Sequence, residues 1–236
     1  PPASNDKYPP GLYADDFLTD ADSISFGRFR AEKRPRPIIV DGTTYDAEGG
    51  HEYAVLKSRD KVVLKFDALL NPLGTRIKFG LLPLLGGEES KQLVVEQTEN
   101  RGWNYWIVDF RGKNARLIHD SGDYPVGHDI SVLDIDRDGR SEIIQNLHTF
   151  WFFDNLPSSD SPLIEIVFRY DPKKGKYVPG NPFFEDYVLR DIERLIKKGS
   201  VLEVVLTYIY AGKENEAWEF YDREYDGLGQ HDERRD

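Results

Sequence analysis

The sequence predicts an α+β protein: an antiparallel, β-rich body of two related β units, arranged as a sheet or open sandwich, under a C-terminal helical cap. Three observations lead there. From Ile38 to Val178 apolar residues come in short runs or strict alternation between Gly, Pro, Asn and Asp turns, which is the pattern of strands. Beyond Asn181-Pro182 they recur three and four apart, the period of helices. The helices follow the strands instead of alternating with them, which separates α+β from a parallel α/β sheet.

Residues 1–36 carry Pro9-Pro10, acids at Asp15-Asp16 and Asp20, and basic residues from Arg28 to Arg36, with few apolar positions and no period. They read as an extended N-terminal arm. The β-rich domain spans 37–180. Ile38-Ile39-Val40 and Thr43-Thr44-Tyr45 flank Asp41-Gly42, the signature of a primed hairpin turn. Tyr53–Lys57 and Lys61–Phe66 form a second hairpin, in which Val62, Leu64 and Phe66 alternate with lysines. Ile77–Leu85, Gln92–Glu96, Trp103–Phe110, Ala115–His119 and Thr149–Phe153 read as further strands, and Leu163–Tyr170 with Lys176–Val178 as a last hairpin.

A weak repeat runs through this body. Leu84-Leu85-Gly86-Gly87-Glu88 with Gln92–Val95 lies 50 residues before Asp134–Glu142 with Ile143-Ile144. Each is a strand, a Gly/acid loop, a short apolar strand, an aromatic strand and a hairpin. Such a period falls in the range of propeller blades, but two copies cannot close a propeller.

The helical cap spans 181–227. Phe183–Lys198 is amphipathic, with Val188, Ile192, Leu195 and Ile196 on one face, Pro182 in its first turn and Gly199 as its stop. Ser200 and Glu203 have the spacing of a capping box for the next helix, and Glu214–Tyr225 gives a third. Residues 228–236 read as a loose, charged tail.

Of 236 residues 31% are charged, and the net charge is -11. An acidic surface disfavours nucleic acid and anionic membranes as partners and suits cations. There are no cysteines, which excludes disulfides, zinc–thiolate sites and cysteine nucleophiles. No run approaches the roughly 18 apolar residues of a membrane span. Pro1-Pro2-Ala3-Ser4-Asn5 reads as a mature end left after removal of a signal or anchor, or equally as a trimmed chain.

The segment with recognisable site chemistry is Asp134-Ile135-Asp136-Arg137-Asp138-Gly139-Arg140-Ser141-Glu142. A hard cation of calcium's size takes six to eight oxygens, and alternating aspartates on a curled loop turn three carboxylates inward. Gly139 gives the backbone its freedom to curl, the Arg140 carbonyl at position 7 points back, and Glu142 at position 9 closes the site. An EF-hand would require an acid at position 12, where Gln145 stands, and helical flanks. Here both flanks read as strands. Four acids so close repel one another without a cation. With few closing ligands, affinity is expected in the extracellular-module range of about 10⁻⁴–10⁻³ M, that of a structural staple.

Val132–Ile144 resembles the calcium loop of FG-GAP/VCBS-type repeats. That resemblance implies calcium ligation by Asp134, Asp136, Asp138, Glu142 and the Arg140 carbonyl, with Glu142 departing from the more common aspartate. The wider chain, through Gln92–Val95, Phe168–Pro172 and Tyr208–Gly212, looks like uncharacterised secreted or lipid-anchored bacterial proteins. This implies a secreted, periplasmic or cell-surface location and brings no activity with it.

Trp103, Trp106, Trp151 and Phe153 head the aromatic strands. Half of such residues must face away from the sheet core, where either the helices cover them or they form a platform for carbohydrate or peptide. His119-Asp120, Asp123 and His128-Asp129 are the residues available for acid–base work. The function read from these features is a secreted, calcium-stabilised binding or interaction module with a carbohydrate or protein partner, leaning away from an enzyme. The alternatives are a hydrolase of carbohydrate or ester using those loop carboxylates, and a purely structural assembly role. The oligomeric state stays open.

Overall fold

Apolar runs that break the alternating pattern mark a sheet buried on both faces. In this protein, seen as a computed structural model that describes residues 8, 11–36, 38–40, 43–45, 51–67, 75–87, 90–99, 102–123, 126–147, 150 and 161–232, that sheet lies in the middle of the body. It is a meander of β8 (Arg76–Leu82), β9 (Gln92–Glu99), β10 (Gly102–Asp109) and β11 (Arg116–Asp120). Leu93, Val95, Trp106 and Val108 face one way, while Val94, Tyr105 and Ile107 face the other, and all are at most 6% exposed.

The first of those faces packs on a sheet of β2 (Ser23–Phe26), β3 (Phe29–Arg36), β6 (His51–Ser58) and β7 (Lys61–Phe66). Phe29, Ala31, Ala54, Leu56 and Phe66 supply its half of the core. The hairpin β4 (Ile38–Val40) with β5 (Thr43–Tyr45) interrupts it. The second face packs on β12 (Val126–Leu133), β13 (Glu142–Leu147), β14 (Ile164–Asp171) and β15 (Lys176–Pro179), through Ile130, Val132, Ile143, Leu147, Phe168 and Tyr177. The short β1 (Leu12–Tyr13) pairs with the edge of β12, and α1 (Ala14–Phe17) follows it. The fold class is α+β with antiparallel sheets, as the pattern predicts.

The segments read as two β units fall in the second and third sheets, and the first sheet is additional to them. The first sheet corrects the reading of residues 1–36 as an arm, because β2 and β3 are paired strands within it. Their alternation is disguised: Ala31 is a small inward residue, and inward Lys33 is held by Asp20 and by Glu52 at 3.9 Å. Arg30, Glu32 and Arg34 point outward.

The helices are α2 (Glu185–Val188), α3 (Ile192–Lys198), α4 (Val201–Tyr210) and α5 (Glu214–Asp232), with α4 against β14. The single helix expected over 183–198 is divided. Asn181–Phe184 is a 3-10 turn, and Arg190 ends α2 by donating to Tyr187 O at 2.9 Å while pairing with Glu165 at 2.7 Å. Gly199, at φ +74°, stops α3. The expected capping box does not form, since the Ser200 side chain makes no cap bond and Glu203 lies 3.7 Å from Lys198. Helix α5 runs to Asp232, so the first part of the expected loose tail is helical. The expected strand 149–153 lies outside the described residues, apart from Phe150.

Candidate metal centre

The loop between β12 and β13 is held by its own aspartates. Asp134 accepts the Asp138 N–H at Oδ1 and the Gly139 N–H at Oδ2, both at 3.0 Å. Asp136 Oδ1 accepts the Asp138 N–H at 3.1 Å, and Asp138 Oδ1 the Arg140 N–H at 2.8 Å. Left-handed backbone at Arg137 (φ +61°) and Gly139 (φ +84°) closes the curl. The result gathers one carboxylate oxygen each from Asp134, Asp136 and Asp138 within 4.8 Å of one another.

That set fits a hard divalent cation. Two oxygens bound to one calcium at 2.3–2.6 Å are separated by at most about 5 Å, and each carboxylate oxygen keeps a lone pair beyond the one used by its N–H. Calcium there would be held by these three side chains and would neutralise their mutual repulsion.

Glu142 stands apart from that group. It opens β13, is 3% exposed, and accepts the Ile135 N–H at Oε2, 2.8 Å away. Burial pushes its carboxyl up to about 7, with Asp136, Asp138 and Asp134 adding repulsion against the opposing Ile135 bond. Arg140, expected to lend its carbonyl, engages the loop through its N–H.

Sequence reasoning missed the brace behind the loop. Ser141 donates its N–H to Leu84 O at 2.8 Å and accepts the Tyr177 hydroxyl at its carbonyl at 2.9 Å. A Cβ on Gly86, at φ +80°, would meet Gly139 O at 2.8 Å, so the two loops touch backbone to backbone there. The Leu84–Gly86 segment thus serves as a buttress from the second sheet to the third. The signal was Gly86-Gly87 in register with the aspartate loop.

The other candidates are placed differently. Trp106 is 6% exposed in the core between the first two sheets, 5.7 Å from the Phe66 ring, so it forms no platform. Trp103 is half-buried against the core between the second and third sheets. Neighbouring sheets cover these strands, where helices were expected to. Trp151 and Phe153 lie outside the described residues.

His119 is 4% exposed, with Nε2 3.1 Å from Gln145 Oε1 and its ring edge-on to Phe168 and Tyr177. That makes it a core histidine. Asp120 Oδ1 accepts the Gly122 N–H at 3.0 Å, and the side chains of Asp123, His128 and Asp129 lie outside the described residues. An open hollow of about 350 Å³ is lined by Tyr13, Ser131, Gln145, Asn146 and Glu165, on β1, β12, β13 and β14.

Comparisons with family models, curated proteins and solved structures gave no match to this chain.

Proposed function

We propose that this chain is an exported, calcium-stabilised binding or interaction module, working in a secreted, periplasmic or surface setting where calcium is plentiful. The observation that carries it is the convergence of Asp134, Asp136 and Asp138 on a loop between two antiparallel strands. The strand flanks support kinship with FG-GAP/VCBS-type loops over an EF-hand. The contact of that loop with Leu84 and Gly86 supports a clamping role, since an ion there would tie the second sheet to the third. His119 belongs to the core, and the hydrolase alternative rests on the loop acids Asp120, Asp123 and Asp129.

With a dissociation constant of about 10⁻⁴–10⁻³ M, about 10 mM calcium adds roughly 1.4–2.7 kcal/mol. For a chain of this size that raises the melting temperature by about 3–10 °C. Asp136→Ala is expected to remove the rise while leaving the chelator-treated melting temperature unchanged or higher. Thermal unfolding in calcium and in chelator checks both. Equal melting of calcium-loaded and stripped wild type would refute the proposal.

A further inference from the structure

The net charge of -11 is unevenly spread. At the open end of the first sheet the turns Gly27-Arg28 and Arg59-Asp60 lie side by side, because Phe29 pairs with Ser58 and Ser58 with Lys61. Arg30, Lys57 and Val62 share a row on the outer face, away from the core. Arg28, Arg30, Lys57, Arg59 and Lys61 therefore gather against only two carboxylates, Glu32 and Asp60, an excess of three positive charges. Glu32 is already engaged by Arg34 and Lys57, with Arg30 Nε at 3.9 Å. Among the described residues no carboxylate lies within ion-pairing distance of Arg28, Arg59 or Lys61.

Beside these cations Val62 and Val63 are 49% and 43% exposed, where a shift of register between Leu56 and Lys57 turns both out of the core. Lysines on an edge strand such as β7 also guard against unwanted pairing. That duty calls neither for the arginines at the turns nor for bare valines among them.

We infer that this end of the first sheet docks on an anionic lipid surface, the arginines and lysines meeting headgroup phosphates and Val62 with Val63 entering the interface. A phosphate-bearing bilayer rewards both halves of the patch, charge and apolar area. A soluble polyanion rewards the cations alone. The acidic remainder of the chain does not forbid it. Sheets stack about 10 Å apart, so the third sheet and its helices lie two layers away, beyond a Debye length of about 8 Å at physiological salt. Docking needs no spanning segment, and among the described residues no helix is long and apolar enough to cross a membrane.

The test is vesicle co-sedimentation in chelator, which prevents calcium from bridging acidic residues to lipid. Phosphatidylcholine vesicles with about one third phosphatidylglycerol are expected to bind the protein, pure phosphatidylcholine vesicles are not, and about 0.5 M salt is expected to release it. Arg28→Glu with Lys61→Glu is expected to weaken binding on the order of tenfold or more, and Val62→Ser with Val63→Ser about three- to tenfold. Lys173→Glu with Lys174→Glu, on the exposed β14–β15 turn, is expected to leave it unchanged. All these positions are exposed, and unchanged melting temperatures confirm intact variants. No binding to anionic vesicles overturns the inference. So do equal losses from the β14–β15 variant, or retention on a sulfated polysaccharide with vesicle binding indifferent to the valines.

Discussion

Trp106→Ala is expected to cost about 3–5 kcal/mol of folding stability, the range for removing a large aromatic from a closed core. The indole fills the space between the first and second sheets, against Phe66 and among Phe29, Leu56, Phe79 and Val108. Strands on both sides are held in antiparallel ladders, so the cavity cannot collapse without breaking register. Denaturant unfolding checks this, with the midpoint falling and the slope unchanged. Trp218, 56% exposed on α5 with its ring edge-on to Tyr221, is the contrast, where alanine is expected to cost less than about 1 kcal/mol. A near-neutral Trp106→Ala would return that residue to the surface platform envisaged from sequence.

The second large effect concerns pH in calcium-free protein. Burial and three neighbouring aspartates lift the Glu142 carboxyl from 4.5 to about 7 in the folded state. Between those values the folded chain holds a proton that the unfolded chain releases, so stability falls as pH rises. The full difference, reached above pH 7, is worth about 3 kcal/mol. Glu142→Gln keeps an acceptor for the Ile135 N–H without the charge. In chelator it is expected to exceed wild type by up to about 3 kcal/mol at pH 8 and to match it below pH 4.5. Unfolding free energies of the two proteins across this range check the difference, and parallel profiles would remove Glu142 from the account. Calcium should oppose the loss in wild type above pH 7, where Glu142 is ionised.

The parts of the fold that were legible owed their clarity to unambiguous periodicity. On the edge strand Lys61–Phe66 the expected alternation holds at Leu64 and Phe66, while a register shift turns Val62 outward with Val63, and Leu93–Val95 runs apolar without a break because both faces of its strand are buried. What escaped was hidden by pairing partners distant in sequence. Inward Lys33 breaks the alternation of β3 and is tolerated only because Asp20 and Glu52 meet it, so residues 1–36 read as an arm although β2 and β3 lie in them. The division of α2 from α3 depends on Glu165, a strand residue that draws Arg190 across. At the candidate site, the Asp134–Asp138 spacing announced three converging carboxylates, because Asx-type bonds to following N–H groups are local. The place of Glu142 is not local. It depends on how β13 enters the core beneath the loop, and the buttress at Leu84 and Gly86 depends on the packing of two sheets.

Calcium calorimetry on chelator-stripped protein is the most direct measurement. Wild type is expected to bind one ion per chain with a dissociation constant of about 10⁻⁴–10⁻³ M, and Asp136→Ala none. Absence of calcium binding by folded wild type, or equal binding by Asp136→Ala, would contradict it.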